Sequence, residues 1–148
     1  MKTRLFGATL LLGLLVLAIT GCGAKAAASS KSSQNNTTNG PVTVTISLTE
    51  FKITSSLTTF KVGTPYHFVV TNAGQAQHEL MVMPAAKGTA SEDERDASEL
   101  FEISELDPGQ SGTKDFTFTA AAPAGVLEMA CHVPGHYESN MRLAIIVQ

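Results

Sequence analysis

From residue 41 onward, apolar and polar residues alternate along most of the chain. Between Val42 and Leu48, valine, isoleucine and leucine alternate with threonine and serine, as in a strand with one buried face. The same period of two predicts further strands at Leu57–Val62, Tyr66–Asn72, Glu79–Met83, Thr113–Thr119, Val126–Cys131 and Arg142–Val147. About seven short strands predict an all-β protein, a Greek-key β-sandwich.

One segment has a helical pattern instead. Residues 91–94, Ser-Glu-Asp-Glu, have the form of a capping box, and Ala97, Leu100 and Phe101 follow at helical spacing. This predicts one short helix in the long connection between the strand at His78 and the strand at Thr113.

The amino terminus has the pattern of an export signal. Lys2 and Arg4 precede an apolar run, Leu10–Ile19, which is short for a membrane span and typical of a secretory signal. Small residues then stand directly before Cys22, and this arrangement resembles the lipobox of bacterial lipoproteins. The resemblance implies that residues 1–21 are removed as a signal peptide and that Cys22 carries a lipid. An ordinary signal cleaved nearby and an uncleaved anchor are the alternatives.

We therefore expect an exported protein, anchored by lipid to a membrane and facing the periplasm or the cell exterior. Residues 23–40 contain no side chain larger than alanine that would join a core, so folding them would cost entropy without burial. Residues 22–40 are thus predicted to be a lipidated cysteine and a flexible tether, with a reach of roughly 25 Å. Residues 41–148 form one predicted domain.

The charge of the chain argues against nucleic acid as a partner. The whole sequence has 10 basic and 13 acidic residues, and removal of residues 1–21 would take away two basic residues and no acid. The mature protein would therefore carry a net charge of −5 with neutral histidines. Eight of the acidic residues lie between Glu92 and Asp107, which is either a solvated face or a surface that attracts a basic partner.

The candidate chemistry lies near the carboxyl terminus. Cys131, His136 and Met141 supply a thiolate, an imidazole and a thioether within eleven residues, and His78 is a candidate second imidazole. Sulfur favours Cu(I) and nitrogen tolerates Cu(II), so these donors suit a copper ion that changes oxidation state. Pro134 and Gly135 predict a turn that brings the later donors back towards Cys131.

Cys131 has alternative explanations. If Cys22 is lipidated, Cys131 is a lone thiol in an oxidising compartment, and metal ligation would account for it. The alternatives are a disulfide with Cys22, which lipidation would exclude, and a buried inert thiol. His132 is expected not to be a ligand, because neighbouring strand residues point to opposite faces. Tyr137 is expected to be loop surface.

The order of these donors resembles that of the cupredoxins, the small blue copper proteins related to plastocyanin, azurin and rusticyanin. The resemblance is most specific at residues 72–80 and 131–141, and the Cys-x4-His-x4-Met spacing is most similar to the rusticyanin and sulfocyanin branch. It implies one type 1 copper ion with His78, Cys131 and His136 as equatorial ligands and Met141 as the long axial ligand.

Other residues bear on the surroundings of this site. Glu79 and Asn140 depart from the family pattern, the first where asparagine or serine is common and the second where glycine is common. Asparagine tolerates left-handed backbone, so the loop is expected to survive. Met81, Met83 and Met129 are expected to pack in the interior and to make the metal's surroundings apolar.

The sequence shows no nucleophile and base pair, phosphate-binding loop or carboxylate dyad, and four copper donors would leave no open position for a substrate. We therefore expect a monomeric electron carrier rather than an enzyme. The resemblance implies redox partners such as a c-type cytochrome or a terminal oxidase, with electrons crossing at the exposed edge of His136. A copper-delivery lipoprotein is the alternative function, and a metal-free sandwich used in adhesion or assembly is a third.

Overall fold

The computed structural model of the protein describes residues 40–148. The predicted signal peptide, Cys22 and the tether up to residue 39 lie outside the described residues. The strands are β1 (Val42–Thr49), β2 (Lys52–Ser55), β3 (Thr59–Phe60), β4 (Pro65–Asn72), β5 (His78–Pro84), β6 (Phe101–Leu106), β7 (Ser111–Thr117), β8 (Ala122–Ala130) and β9 (Arg142–Val147). A 3-10 turn, Ala85–Lys87, and the helix α1, Glu92–Asp96, lie between β5 and β6. Within the described range, no helix has the length and apolar character needed to cross a membrane.

Two sheets make up the fold. The first has the strand order β2-β1-β4-β7, and the second has the order β3-β9-β8-β5-β6. In the first sheet β1 pairs in parallel with β4, and in the second β5 lies antiparallel between β6 and β8. The predicted all-β sandwich with little helix is confirmed.

The core lies between the two sheets and follows the predicted alternation. Val44, Ile46 and Leu48 of β1 are buried, while Thr45 between them is exposed. Phe60 lies at the centre of an aromatic cluster, with its ring centroid 5.0–5.8 Å from those of Tyr66, Phe68 and Phe118. Tilted and edge-to-face ring pairs of this kind add to the stability from burial alone.

Strands β2 and β6 were not predicted, and the observed helix is shorter than the predicted one. The helix α1 ends at Asp96, and Phe101, expected on the helix, begins β6 by pairing with Val82. Phe101 is 3 % exposed, so its burial against β5 outweighs the local helical spacing. Strand β2 was not predicted because the turn before it, at residues 50 and 51, lacks the glycine or asparagine that indicates a hairpin.

Strand boundaries also differ from the prediction; β7, for example, is Ser111–Thr117 where Thr113–Thr119 was predicted. Only Thr59 and Phe60 of the predicted segment Leu57–Val62 pair as a strand, along β9. Strand β8 begins at Ala122, before an irregularity in its pairing with β9, and not at Val126. Pairing with a partner strand sets these ends, and a single sequence does not specify the partner.

Candidate metal centre

Each predicted copper donor is at one end of the second sheet and is buried. His78 is the first residue of β5, Cys131 directly follows β8, His136 lies in the loop between β8 and β9, and Met141 directly precedes β9. Their exposed fractions are 0 % for His78, Cys131 and Met141 and 7 % for His136. Met141 belongs to the same buried cluster as Cys131.

Three donor atoms converge on one point. The Nδ1 atoms of His78 and His136 are 3.1 Å apart, and the Cys131 Sγ lies 3.3 Å from His136 Nδ1 and 3.9 Å from His78 Nδ1. Within the described residues, these three side chains form a cluster with metal-ligand geometry. Donors about 2.0–2.3 Å from one ion lie roughly 3–4 Å from each other, so the spacing fits a single metal ion.

The loop between β8 and β9 is held by its own backbone. The Cys131 N–H donates to the Met141 carbonyl at 3.1 Å, and the Met141 N–H donates to the His136 carbonyl at 3.0 Å. Gly135 and Asn140 adopt left-handed backbone with φ of 86° and 65°, as expected for a turn and for the tolerance of asparagine. The predicted turn therefore forms, and it ties the two ends of the loop together.

Asn72 fixes the segment that leads to His78. Its side chain is fully buried, and its amide group donates to the carbonyls of Ala76 at 2.7 Å and Leu106 at 2.8 Å. Its side-chain oxygen accepts from the Gly74 N–H at 2.9 Å. One side chain thus satisfies two backbone groups of the turn before His78 and one at the end of β6.

Glu79, which departs from the family pattern, affects the Cys131 thiol. Burial raises the pKa of the Cys131 thiol, while hydrogen bonding from the backbone N–H groups of Glu79 and Val133 acts in the opposite direction. The Glu79 side chain turns away and accepts from the His132 N–H at 2.8 Å. The Glu79 N–H therefore lowers the pKa of the Cys131 thiol, while the charge of the Glu79 carboxylate raises that pKa. Metal binding would have to displace the thiol proton.

His136 is suited to ligation but is more covered than expected. Burial, and then the neighbouring His78, lower the pKa of His136, which favours the neutral imidazole that binds metals. The expected exposed edge is small, because His136 is only 7 % exposed. Phe51, itself 46 % exposed, places its ring edge-to-face against His136 with the centroids 5.2 Å apart.

Glu50 lies next to Phe51 in the turn between β1 and β2. Its Oε1 accepts from the N–H groups of Gln75 at 2.5 Å and Ala76 at 2.7 Å. These two hydrogen bonds lower the pKa of Glu50 to about 2, and the bond from Ala76 has the larger effect. The same oxygen lies 3.5 Å from His78 Nε2. Neither turn residue was predicted to be near the site; the alternation around Ile53 is the signal that could have indicated the hairpin.

His132 lies on the opposite face of the sheet from the metal cluster, as expected from its place next to Cys131. Its Nε2 is 3.2 Å from the Met83 Sδ, and burial, with Arg95 as a smaller cause, lowers its pKa to about 4. Met81 and Met83 are buried but lie outside the main core cluster. The expectation that they line the metal site is therefore wrong, because they alternate with the core residues Leu80 and Val82. Met129 does lie in the core cluster with Cys131.

Tyr137 is buried, contrary to the expectation of loop surface. It is 7 % exposed, and its hydroxyl donates to the Glu128 carboxylate at 2.8 Å. The Arg142 Nη1 in turn donates to the Tyr137 oxygen at 2.9 Å. The residue after His136 is thus anchored to β8 and β9 by a polar network.

Comparison with solved structures finds the same fold in blue copper proteins. The reduced auracyanin of Roseiflexus castenholzii superposes with a TM-score of 0.58 at 21 % identity, over 74 % of this chain and 99 % of that one. Auracyanin A of Chloroflexus aurantiacus, described as a blue copper protein, has a TM-score of 0.53 at 20 % identity, over 74 % and 100 % of the two chains. An azurin of Methylomonas sp. strain J has a TM-score of 0.53 at 15 % identity, over 74 % and 99 %.

No protein-family model matches the sequence, and no curated protein sequence matches it. The chain nevertheless has the cupredoxin fold, and the predicted resemblance to the cupredoxins is confirmed. The buried group of His78, Cys131 and His136 fits a single type 1 copper ion, since two imidazoles and one thiolate are the donors of such a site. The assignment of individual ligands, and of Met141 as the axial one, stays a prediction.

Proposed function

We propose that this protein is a membrane-tethered carrier of single electrons that uses one type 1 copper ion. The observation that carries the proposal is the convergence of the Cys131 Sγ with the Nδ1 atoms of His78 and His136 in a buried site. When bound, copper supplies one-electron chemistry by cycling between Cu(I) and Cu(II).

The role of the protein is to hold the donors still. His78 comes from a sheet strand, and the other donors come from a loop whose ends are bonded to each other between Cys131 and Met141. Buried, hydrogen-bonded side chains have few alternative positions, so the donors would move little between oxidation states. A small rearrangement favours fast electron transfer over release of the metal.

The visible spectrum tests this function. The purified protein is loaded with Cu(II) and carried through cycles of reduction and reoxidation beside Cys131→Ser. We expect an intense thiolate-to-copper band that disappears and returns without loss of copper, and that Cys131→Ser lacks. Loss of copper on reduction would favour the copper-delivery alternative, and binding without the band would rule out Cys131 as a ligand.

The anchor is the second part of the proposal. It is supported by the sequence before Cys22, where small residues follow a short apolar run. Two or three acyl chains hold a protein on a membrane far more firmly than one. Mass spectrometry of the mature amino terminus is expected to show a lipid-modified Cys22, and Cys22→Ser is expected to release the protein from the membrane fraction. An unmodified terminus at another residue would contradict the anchor.

We further propose that the redox partners are proteins with basic surfaces, such as a c-type cytochrome or a terminal oxidase. Five acidic residues and one basic residue, Arg95, line a groove of about 380 Å³ beside His132; the acidic residues are Glu79, Glu92, Asp96, Glu102 and Glu105. A mainly acidic surface speeds the encounter with a basic partner, and salt weakens that attraction. Replacement of Glu102 and Glu105 by lysine is expected to slow reduction by a basic cytochrome at low salt, with little change at high salt. An unchanged rate at low salt would contradict this surface.

A further inference from the structure

His78 has a buried polar atom that the metal site does not use. Its Nδ1 faces His136 and Cys131, so its Nε2 points away from the cluster. The side chain is fully buried, and Nε2 makes no hydrogen bond with any residue that the structure describes. A buried ring nitrogen without a partner costs free energy, and such groups in native proteins usually have a specific reason.

The nearest carboxylate to this atom is held in place by the backbone. The Glu50 Oε1 lies 3.5 Å from His78 Nε2, within ion-pair range but longer than a formed hydrogen bond. The N–H groups of Gln75 and Ala76 both donate to the same oxygen, so the carboxylate is fixed against the segment that leads to His78.

Gly74 leaves the space in which the two groups meet. A Cβ at this position would lie 2.5 Å from the Glu50 Oε1 and 2.9 Å from the His78 Nε2. Contacts this short do not occur for real Cβ atoms, so any side chain here would push the carboxylate or the imidazole aside. The φ of Gly74 is not in the left-handed region, so its lack of a side chain, and not its backbone freedom, is what the site uses.

We propose that Glu50 is a positioning residue for the metal centre: it accepts a hydrogen bond from the Nε2–H of His78 and so keeps the Nδ1 lone pair directed at the copper. This rests on the proposed copper site. Metal-binding histidines commonly donate their second ring N–H to a carboxylate or carbonyl, which sets the tautomer and the ring orientation. Here the carboxylate comes from the β1–β2 turn of the other sheet, so a residue of the first sheet acts on a ligand of the second.

The charge of Glu50 has a further consequence. A carboxylate beside a ligand stabilises the more positive Cu(II) state relative to Cu(I). Its removal should therefore weaken Cu(II) binding more than Cu(I) binding and raise the reduction potential. Loss of such a partner commonly lowers metal affinity 10–100-fold. A tenfold change in the ratio of the two affinities corresponds to about 59 mV for a one-electron couple.

The test uses the purified protein and three variants. Glu50→Ala removes the charge and the acceptor, Glu50→Gln keeps an acceptor oxygen without the charge, and Gly74→Ala fills the space between the two groups. Glu138→Gln is the matched control, because it removes the same charge from an exposed residue of the ligand loop. We measure Cu(II) and Cu(I) affinities, the reduction potential, and the His78 ring nitrogens by ¹⁵N NMR of the metal-free protein.

We expect Glu50→Ala to lower the ratio of Cu(II) to Cu(I) affinity at least tenfold. Glu50→Gln should lower this ratio by a smaller factor, and Gly74→Ala should also lower it. Glu138→Gln should stay within twofold of the wild type. In the metal-free wild type, the proton of His78 should lie on Nε2 and exchange more slowly than in Glu50→Ala. A proton on Nδ1, or an affinity ratio in Glu50→Ala within twofold of the wild type, would overturn the proposal.

The two readouts separate this proposal from the proposed function. If the wild type binds copper without a thiolate band, the electron-carrier function fails, yet the tautomer in the metal-free protein still tests the contact between Glu50 and His78. If the band forms but none of the Glu50 variants changes the affinities or the tautomer, the positioning role fails while the copper site stands.

Discussion

The phenol ring of Tyr137 lies stacked on the imidazole of His132, with the ring centroids 4.6 Å apart and the planes 15° from parallel. Tyr137 follows His136, and His132 follows Cys131, so the neighbours of two predicted ligands pack on each other. The Arg142 guanidinium lies over the same phenol ring, 5.1 Å from its centroid. The ligand loop is therefore held from the outer face of the sheet as well as from the metal side.

Gly88 should be essential for this packing. A Cβ at Gly88 would lie 1.8 Å from the Tyr137 hydroxyl oxygen, and with φ of −57° alanine would meet no backbone strain. Gly88→Ala is therefore expected to displace Tyr137 and to lower the free energy of unfolding by about 1–3 kcal/mol through overpacking. Urea unfolding of the metal-free protein measures this. Gly40→Ala, with no atom of residues 40–148 within 4 Å of the added carbon, is the control; equal midpoints for the two variants would contradict the prediction.

The hydroxyl of Tyr137 should matter separately from its ring. Glu128 is 5 % exposed and accepts from this hydroxyl, so Tyr137→Phe would leave a buried carboxylate without that donor. We expect a loss of about 1–3 kcal/mol in the free energy of unfolding. A double-mutant cycle with Glu128→Ala, which removes the acceptor, should give a coupling energy above about 0.5 kcal/mol, because the two groups are in direct contact. Additive effects in the cycle would show that the hydrogen bond contributes nothing.

Asn72 should control the position of His78. Asn72→Ala removes three hydrogen bonds to the backbone of Gly74, Ala76 and Leu106, which at about 1 kcal/mol each predicts a loss near 3 kcal/mol. Hydrogen exchange of residues 73–77 should become faster than in the wild type. Thr71→Ala is the control, since its hydroxyl forms an exposed hydrogen bond with the Ser111 hydroxyl. If both variants unfold at the same urea concentration, the side chain of Asn72 does not hold this turn.

Phe51 should shield the metal centre from solvent. Because its ring covers His136 but is 46 % exposed, Phe51→Ala is expected to change stability by less than about 1 kcal/mol while uncovering the imidazole. Copper should then be lost to a chelator several times faster than from the wild type. Val62→Ala, at a position 41 % exposed, is the matched control. A rate for Phe51→Ala equal to that of the control would mean that the ring does not restrict access.

Local pattern predicted most of the strands well. Strand β9 begins at Arg142 and ends at Val147 as predicted, and β4 differs from its prediction only by including Pro65. Strand β6 was missed because Phe101 stands at helical spacing from Ala97, and only pairing with Val82 shows that it belongs to a sheet. The capping box formed in part: the Ser91 hydroxyl meets the Glu94 carboxylate at 3.3 Å, yet the helix stops at Asp96.

The sequence by itself determined the alternation that makes a sandwich, the spacing of Cys131, His136 and Met141, and the turn at Pro134 and Gly135, because each of these depends on residues close together in the chain. Tertiary structure alone decided what surrounds the donors. Glu50 reaches His78 across 28 positions of sequence, and Phe51 reaches His136 across 85. Contacts over such separations leave no local period or motif, since they depend on how the two sheets pack and on which side chain each turn presents to the other sheet.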